Sequence, residues 1–322
     1  MDHRTGWQLL ALNPASVEAR FGAVHVWLNG RLVNGDDARL PIDDHGLVVG
    51  DGAFETLKTH GGQAFAVTRH LRRLRRTLEA LAIDVPDPDM LRAAIDETVS
   101  AGGHTESRIR VTVTAGSGSL GSGMPGGEPS VVVAVTELGP KVVPMAITVP
   151  WTRNERGATA GLKTTSYAEN VRALRVAHEA GASEALLANT RDELCEGTGT
   201  NVFVVVDGQL LTPPLSSGCL AGVSRELLIE AADVTEQPLP FDILGTADEI
   251  FLTSTTRDVQ GLTTIDDRAL VVGPVTRRME AIFDEILETV DPWRPMLRCF
   301  AQSMWVVATR CRWPSYVISW VR

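Results

Sequence analysis

The chain has 322 residues, of which 44% are hydrophobic and 22% charged, so it is long enough for two domains with ordinary globular cores. A formal net charge of -10 disfavours nonspecific binding to nucleic acid, and no apolar run is long enough to span a bilayer. Cys195, Cys219, Cys299 and Cys311 show no CxxC spacing and no His/Cys cluster suggests a metal. Nothing in residues 1–12 reads as a secretory signal, so the expected compartment is the cytoplasm.

Residues 1–22 lack clear periodicity and read as an N-terminal extension. A first hairpin is predicted from Val24–Leu28 and Arg31–Val33 around Asn29-Gly30. A second is predicted from Ala53–Thr59 and Ala64–Val67 around Gly61-Gly62. Helices follow over Arg69–Leu81, with Leu71, Leu74, Leu78 and Leu81 on one face, and over Asp89–Ala101, stopped by Gly102-Gly103. Most of the arginines among residues 69–76 read as a solvated helix face.

Arg108–Ala115 alternates as a strand, with Arg108 and Arg110 on one side. Gly116, Gly118 and Gly121 then satisfy GxGxxG, but the SGMPGGEP that follows cannot open a helix. A loop over the substrate entrance is expected there, without a dinucleotide site. After a strand over Ser130–Thr136, residues 138–144 read as a linker between domains 23–137 and 145–292.

The second domain opens with a strand at Met145–Val149. Ser166 and Glu169 have capping-box spacing before a helix that places Val171, Leu174, Ala177 and His178 on one face and stops at Gly181. Strands are predicted at Glu184–Ala188, Val202–Val206 and Gln209–Thr212, so that Lys163 precedes a helix and Glu196 precedes a strand. Gly222 leads into a helix start whose free N–H groups make an anion site in principle. Glu249–Leu252 is a strand ending in Thr253-Ser254-Thr255-Thr256, and a last helix runs from Thr276, its expected cap, to Val290, burying Met279, Ile282, Phe283 and Ile286. Residues 297–322 contain no Asp, Glu or Gly, four arginines and three of the seven tryptophans, so 293–322 reads as an atypical, appended tail.

Several of these stretches together resemble the class IV aminotransferases, the fold-type IV pyridoxal-phosphate enzymes. They are GDGAFE (50–55), HLRRL (70–74), GLKTTSYAEN (161–170), EGTGTN (196–201), LAGVSR (220–225) and EIFLTST (249–255). The family includes branched-chain and D-amino-acid aminotransferases and aminodeoxychorismate lyases. The resemblance implies a two-domain α+β fold, with a small N-terminal α/β domain and a larger domain with a β-barrel-like core. It also implies a homodimer whose active site borrows loops from the second subunit.

By the same resemblance, Lys163 is the Schiff-base lysine for pyridoxal 5'-phosphate, and its neighbours Leu162, Thr164 and Thr165 would desolvate it. Glu196 would partner the pyridine nitrogen, Tyr167 the ring oxygen, and Leu220 the ring face. Arg73, the backbone of Val223 and Ser224, and Thr255 would hold the phosphate, for which a guanidinium fork is well shaped. Phe54, Arg110 and Thr256 would meet the substrate. The implied reaction is transamination between an amino acid and a 2-keto acid.

Some residues depart from family subgroups. Thr114-Ala115-Gly116 stands where D-amino-acid enzymes carry an arginine, and Leu120 and Glu55 stand where lyases tend to carry arginine and threonine. KTTSYAENVRALR nevertheless resembles the KTLSYAVN form of the lyases. Elimination from aminodeoxychorismate therefore stays open as the alternative, as does a cofactor-binding member without turnover.

Overall fold

The computed structural model describes residues 24–289. The extension over 1–22 and the tail over 293–322 lie outside the described residues.

The first sheet contains β1 (His25–Leu28), β2 (Arg31–Asn34), β3 (Gly52–His60), β4 (Gln63–Ala64), β5 (Ser107–Thr114) and β6 (Ser130–Glu137), in the order β2-β1-β6-β5-β3-β4. A one-turn helix, α1 (His45–Val48), precedes β3, and α2 (Val67–Ala80) and α3 (Pro88–Gly102) separate β4 from β5. Alternation in β5 sends Ile109, Val111 and Val113 into a core with Leu71, Leu74 and Leu78 of α2 and Ile95 of α3. The opposite face of β5 carries Arg108 and Arg110, as the sequence pattern requires. Asp87 caps α3, and Gly103, at φ +65, ends it.

The rest of the chain supplies β7 (Met145–Arg153), β8 (Glu184–Asn189), β9 (Leu194–Gly197), β10 (Asn201–Val206), β11 (Gln209–Thr212), β12 (Thr235–Glu236), β13 (Glu249–Ser254), β14 (Asp258–Gly261), β15 (Thr264–Ile265) and β16 (Arg268–Ala269). They form two five-stranded sheets, β16-β15-β7-β8-β9 and β12-β11-β10-β13-β14. Between these sheets lies a core that includes Leu186, Leu194, Val202, Val204, Ile250 and Leu252. The helices are α4 (Ala168–Glu179), packed on β7 and β8, with α5 (Val223–Ala231) and α6 (Pro274–Thr289) on the outer face of the β10/β13 sheet. The architecture is α+β, as expected.

Several local expectations are corrected. The strand expected over Ala64–Val67 stops at Ala64, and α2 begins at Val67 after Ala66 in the left-handed region. Phe65 and Ala66 are drawn into the core beneath α5 and α6, which turns the chain. Ser166 caps nothing: its hydroxyl donates to the Gly50 carbonyl at 3.0 Å, and α4 starts at Ala168. The buried face of α4 is Asn170, Ala173 and Ala177, whereas Val171 and His178 are exposed. Thr276 lies inside α6, where the Glu249 carboxylate accepts from its N–H at 2.7 Å and from that of Val275 at 3.2 Å. Glu249 acts there as a tertiary cap, invisible to a local motif.

Candidate active site

Lys163 is presented by a seam between the first sheet and the rest of the chain. Residues 163–165 run beside the start of β3: Phe54 N–H donates to the Lys163 carbonyl at 3.0 Å and Thr165 N–H to the Gly52 carbonyl at 2.8 Å. A side chain at Gly52 would place its Cβ 2.7 Å from the Val113 carbonyl, so the approach needs a glycine. Lys163 Nζ lies 4.3 Å from the Phe54 ring centroid and 5.7 Å from that of Tyr167. The two rings meet edge to face at 5.2 Å. Burial, helped by the nearby Arg73 charge, lowers the Lys163 amine to about 8. It is an amine easily made neutral.

Glu196 lies inside β9 and not in a turn before a strand, which corrects the expected placement. Its carboxylate accepts from Leu220 N–H at 2.8 Å and sits 3.2 Å from Arg153 Nε. Burial pushes it above the usual carboxylate range against the pull of Arg153. The Tyr167 hydroxyl is pushed up to about 12 by burial and by the Glu196 charge. Beyond Glu196 the chain turns tightly: a Cβ at Gly197 would lie 2.2 Å from Thr200 Oγ1. Glu184 braces this turn by accepting from Thr198 N–H at 2.9 Å and Thr200 Oγ1 at 3.1 Å.

The anion site expected at the start of α5 has the right form. Gly222 is its N-cap residue and no side chain caps the helix. A Cβ at Gly222 would lie 2.0 Å from Asn201 Oδ1, so only glycine fits. Asn201 Nδ2 in turn donates to the Leu220 carbonyl at 2.8 Å. Asn201 pairs with Thr253 across β10 and β13, which brings the turn bearing Thr255 and Thr256 to the same end of the sheet.

Arg73 reaches this helix start from α2, donating from Nη1 to the Ala221 carbonyl at 2.9 Å. Its Nε and Nη2 form a two-pronged contact with Glu55 at 2.7 and 2.6 Å, and His70 Nδ1 lies 2.7 Å from the same carboxylate. Burial alone would raise the Glu55 carboxyl, but Arg73 and His70 together carry it down to about 2. On the far side of Phe54's strand, Arg110 stacks its guanidinium 3.8 Å from that ring's centroid.

Lys163, Tyr167, Glu196, Leu220, Arg73 and the α5 start therefore converge, with Phe54 and Arg110 beside the lysine and the Thr255–Thr256 turn beside Asn201. Glu55, His70 and Arg153 also belong to this cluster, and none of them was expected there from the sequence. A carboxylate at Glu55 inside a strand whose neighbours are buried, facing a helix with His70 and Arg73 three apart, was the available signal. Arg153, at the end of β7, offered none.

This fold and site define a class of protein, and comparison with known proteins identifies it. The family model for class IV aminotransferases matches residues 52–265, and the chain belongs to that family of pyridoxal-phosphate enzymes. It is 33% identical over 276 residues to a putative branched-chain-amino-acid aminotransferase of Methanocaldococcus jannaschii, covering 81% of this chain and 96% of that protein. A D-alanine aminotransferase of Staphylococcus epidermidis is 26% identical, with coverage of 82% and 98%. Among solved structures, the branched-chain aminotransferase of Thermoproteus uzoniensis with norvaline superposes with a TM-score of 0.78 at 30% identity, covering 83% of this chain and 95% of that one. All three are aminotransferases; none is a lyase. The residues here fit the cofactor: an uncapped helix start with an arginine beside it suits a phosphate, and a buried carboxylate with a raised pKa suits a ring nitrogen.

Proposed function

We propose that Lys163 anchors pyridoxal phosphate and moves the proton when an amino group passes between an amino acid and a 2-keto acid. The bound cofactor supplies an aldehyde that captures amines and a ring that accepts electrons from Cα. Lys163, with its depressed pKa, takes the Cα proton as base and returns it as acid. Glu196 would partner the pyridine nitrogen of the bound cofactor. Tyr167 would donate to the ring oxygen, and Leu220 would cover a ring face. Arg73, the N–H groups of Val223 and Ser224, and Thr255 would hold the phosphate.

The observation that carries the substrate class is Arg110. Its guanidinium lies on the same ring as Lys163 Nζ, and among the described residues no carboxylate pairs with it. Among the described residues it donates from Nε to Thr112 Oγ1 at 3.2 Å. A substrate carboxylate held by Arg110, with Phe54 and Thr256 as neighbours, brings an α-amino acid to the lysine.

A homodimer is part of the proposal. Leu40, Ile42, Leu47 and Val49 are exposed beside Leu120 and Met124, which are 78% and 88% exposed. Hydrogen bonds such as Gly118 N–H to the Asp43 carbonyl tie the two segments into one apolar surface next to the site. The proposed division into 23–137 and 145–292 about the linker is supported by the separate sheets. The buried free thiols Cys195 and Cys219 suit the reducing cytoplasm proposed as its compartment.

The test is the visible spectrum of the purified protein, before and after D- and L-amino acids are added without an acceptor. The lysine-bound cofactor band should bleach to the pyridoxamine form with amino acids of one handedness. A band that no amino acid bleaches would reject transamination of amino acids. Absence of a band after addition of cofactor would reject Lys163 as its anchor.

A further inference from the structure

The turn joining β13 to β14 consists of Thr255, Thr256 and Arg257 and closes on Asp258, which pairs with Ser254. Asp258 has φ +59, in the left-handed region that Asp192, Asp207 and Asp266 also adopt in this chain. Its carboxylate has a distant partner. Lys58 Nζ, on β3, donates to Asp258 Oδ2 at 2.7 Å across a separation of 200 residues. Lys58 is only 5% exposed, and it shares its side of β3 with Phe54.

The preceding residue is anchored elsewhere. Arg257 Nη1 donates to Ser183 Oγ and to Gln260 Oε1, both at 2.8 Å, and Nη2 donates to the Ser183 carbonyl at 2.6 Å. The same guanidinium lies 3.8 Å from Glu184, the carboxylate that braces the turn after Glu196. The Thr255–Thr256 turn belongs to one sheet and is clamped to each of the other two.

We propose that Lys58, Asp258 and Arg257 are positioning residues that fix the direction of the Thr255 hydroxyl and so set how tightly the chain holds the cofactor's phosphate. The inference rests on the reading that Thr255 meets that phosphate. A three-residue loop has no ladder hydrogen bonds of its own, so its hydroxyls point wherever its two ends hold it. A buried ion pair is a poor source of stability compared with apolar packing, and its best-attested use is to specify one arrangement. Lys58 and Asp258 supply such a fixed arrangement at one end, and Arg257 supplies it just before.

The experiment strips the full-length protein of cofactor and measures its Kd for pyridoxal phosphate and for unphosphorylated pyridoxal. It compares the native chain with Lys58→Met, Asp258→Gly, Arg257→Gln and Thr255→Ala. Asp258→Gly suits the left-handed backbone while removing the carboxylate, so it separates loss of the pair from loss of the turn. Lys58→Met, Asp258→Gly and Arg257→Gln should each raise the Kd for pyridoxal phosphate about tenfold and leave that for pyridoxal within twofold. Equal weakening of both ligands would mean a merely structural role and would overturn the proposal. If Thr255→Ala shifts the ratio of the two constants and the three clamp variants do not, the clamp alone is refuted. If Thr255→Ala leaves the ratio at its native value, the phosphate reading of the turn is what has failed.

Discussion

Two buried charged groupings lie within reach of one another, and they are compensated differently. Around Glu55, every charge is matched: Arg73 makes two contacts, His70 a third, and the carboxyl is driven down to about 2. Around Lys163 and Glu196, burial dominates: the amine falls to about 8 and the carboxyl rises above its usual range. The Glu55 carboxylate therefore stays charged across the physiological range. The Lys163 amine is left close to a change of state. A buried charge that is matched keeps its state, while one dominated by burial moves toward exchanging its proton.

The sharpest way to separate the two is to remove the lysine. Lys163→Ala should lower kcat by at least about 10⁴-fold, since anchor and proton carrier go together, with little change in Tm. Steady-state rates and a thermal melt on one preparation check this, and retained turnover would erase the distinction.

The mirror experiment is Glu55→Gln, which leaves Arg73 buried without a counter-charge. A loss of about 3–5 kcal/mol of stability is expected in the cofactor-free chain. Because the folded carboxyl titrates near 2 and an ordinary one near 4.5, this contribution is complete above about pH 4.5 and is lost as pH falls toward 2. The Tm gap between native and variant should therefore narrow with acidification below that point. A constant gap would show that packing, and not charge, was removed.

The smallest effect concerns Glu196. Glu196→Gln should cost on the order of 10²-fold in kcat while cofactor still binds, because Leu220 N–H and Arg153 keep the position polar. Unchanged kcat would remove Glu196 from the chemistry.

Much of this protein was legible in its sequence. Alternation of Ile109, Val111 and Val113 gave β5 and the outward side of Arg110; leucines at helical spacing gave α2; Gly222 marked the uncapped start of α5. These are local consequences of side-chain period and backbone freedom, so neighbours in the chain suffice to see them. Sequence motifs failed where a distant group decided the local geometry. Ser166 looked like a cap until the Gly50 carbonyl took its hydroxyl. Thr276 looked like a cap until Glu249 supplied one.

The sequence alone pointed to Lys163, Glu196 and the Gly222 turn as the residues proposed to carry the chemistry, because lysine, carboxylate and glycine-rich turns are chosen for properties they hold individually. Only the tertiary structure decided what those residues would be. It joined Glu55 to Arg73, tied Lys58 to Asp258 and buried Glu196 beside Arg153. A pKa and a hydroxyl's direction depend on desolvation and on partners remote in the chain, and no period or motif in a sequence encodes either.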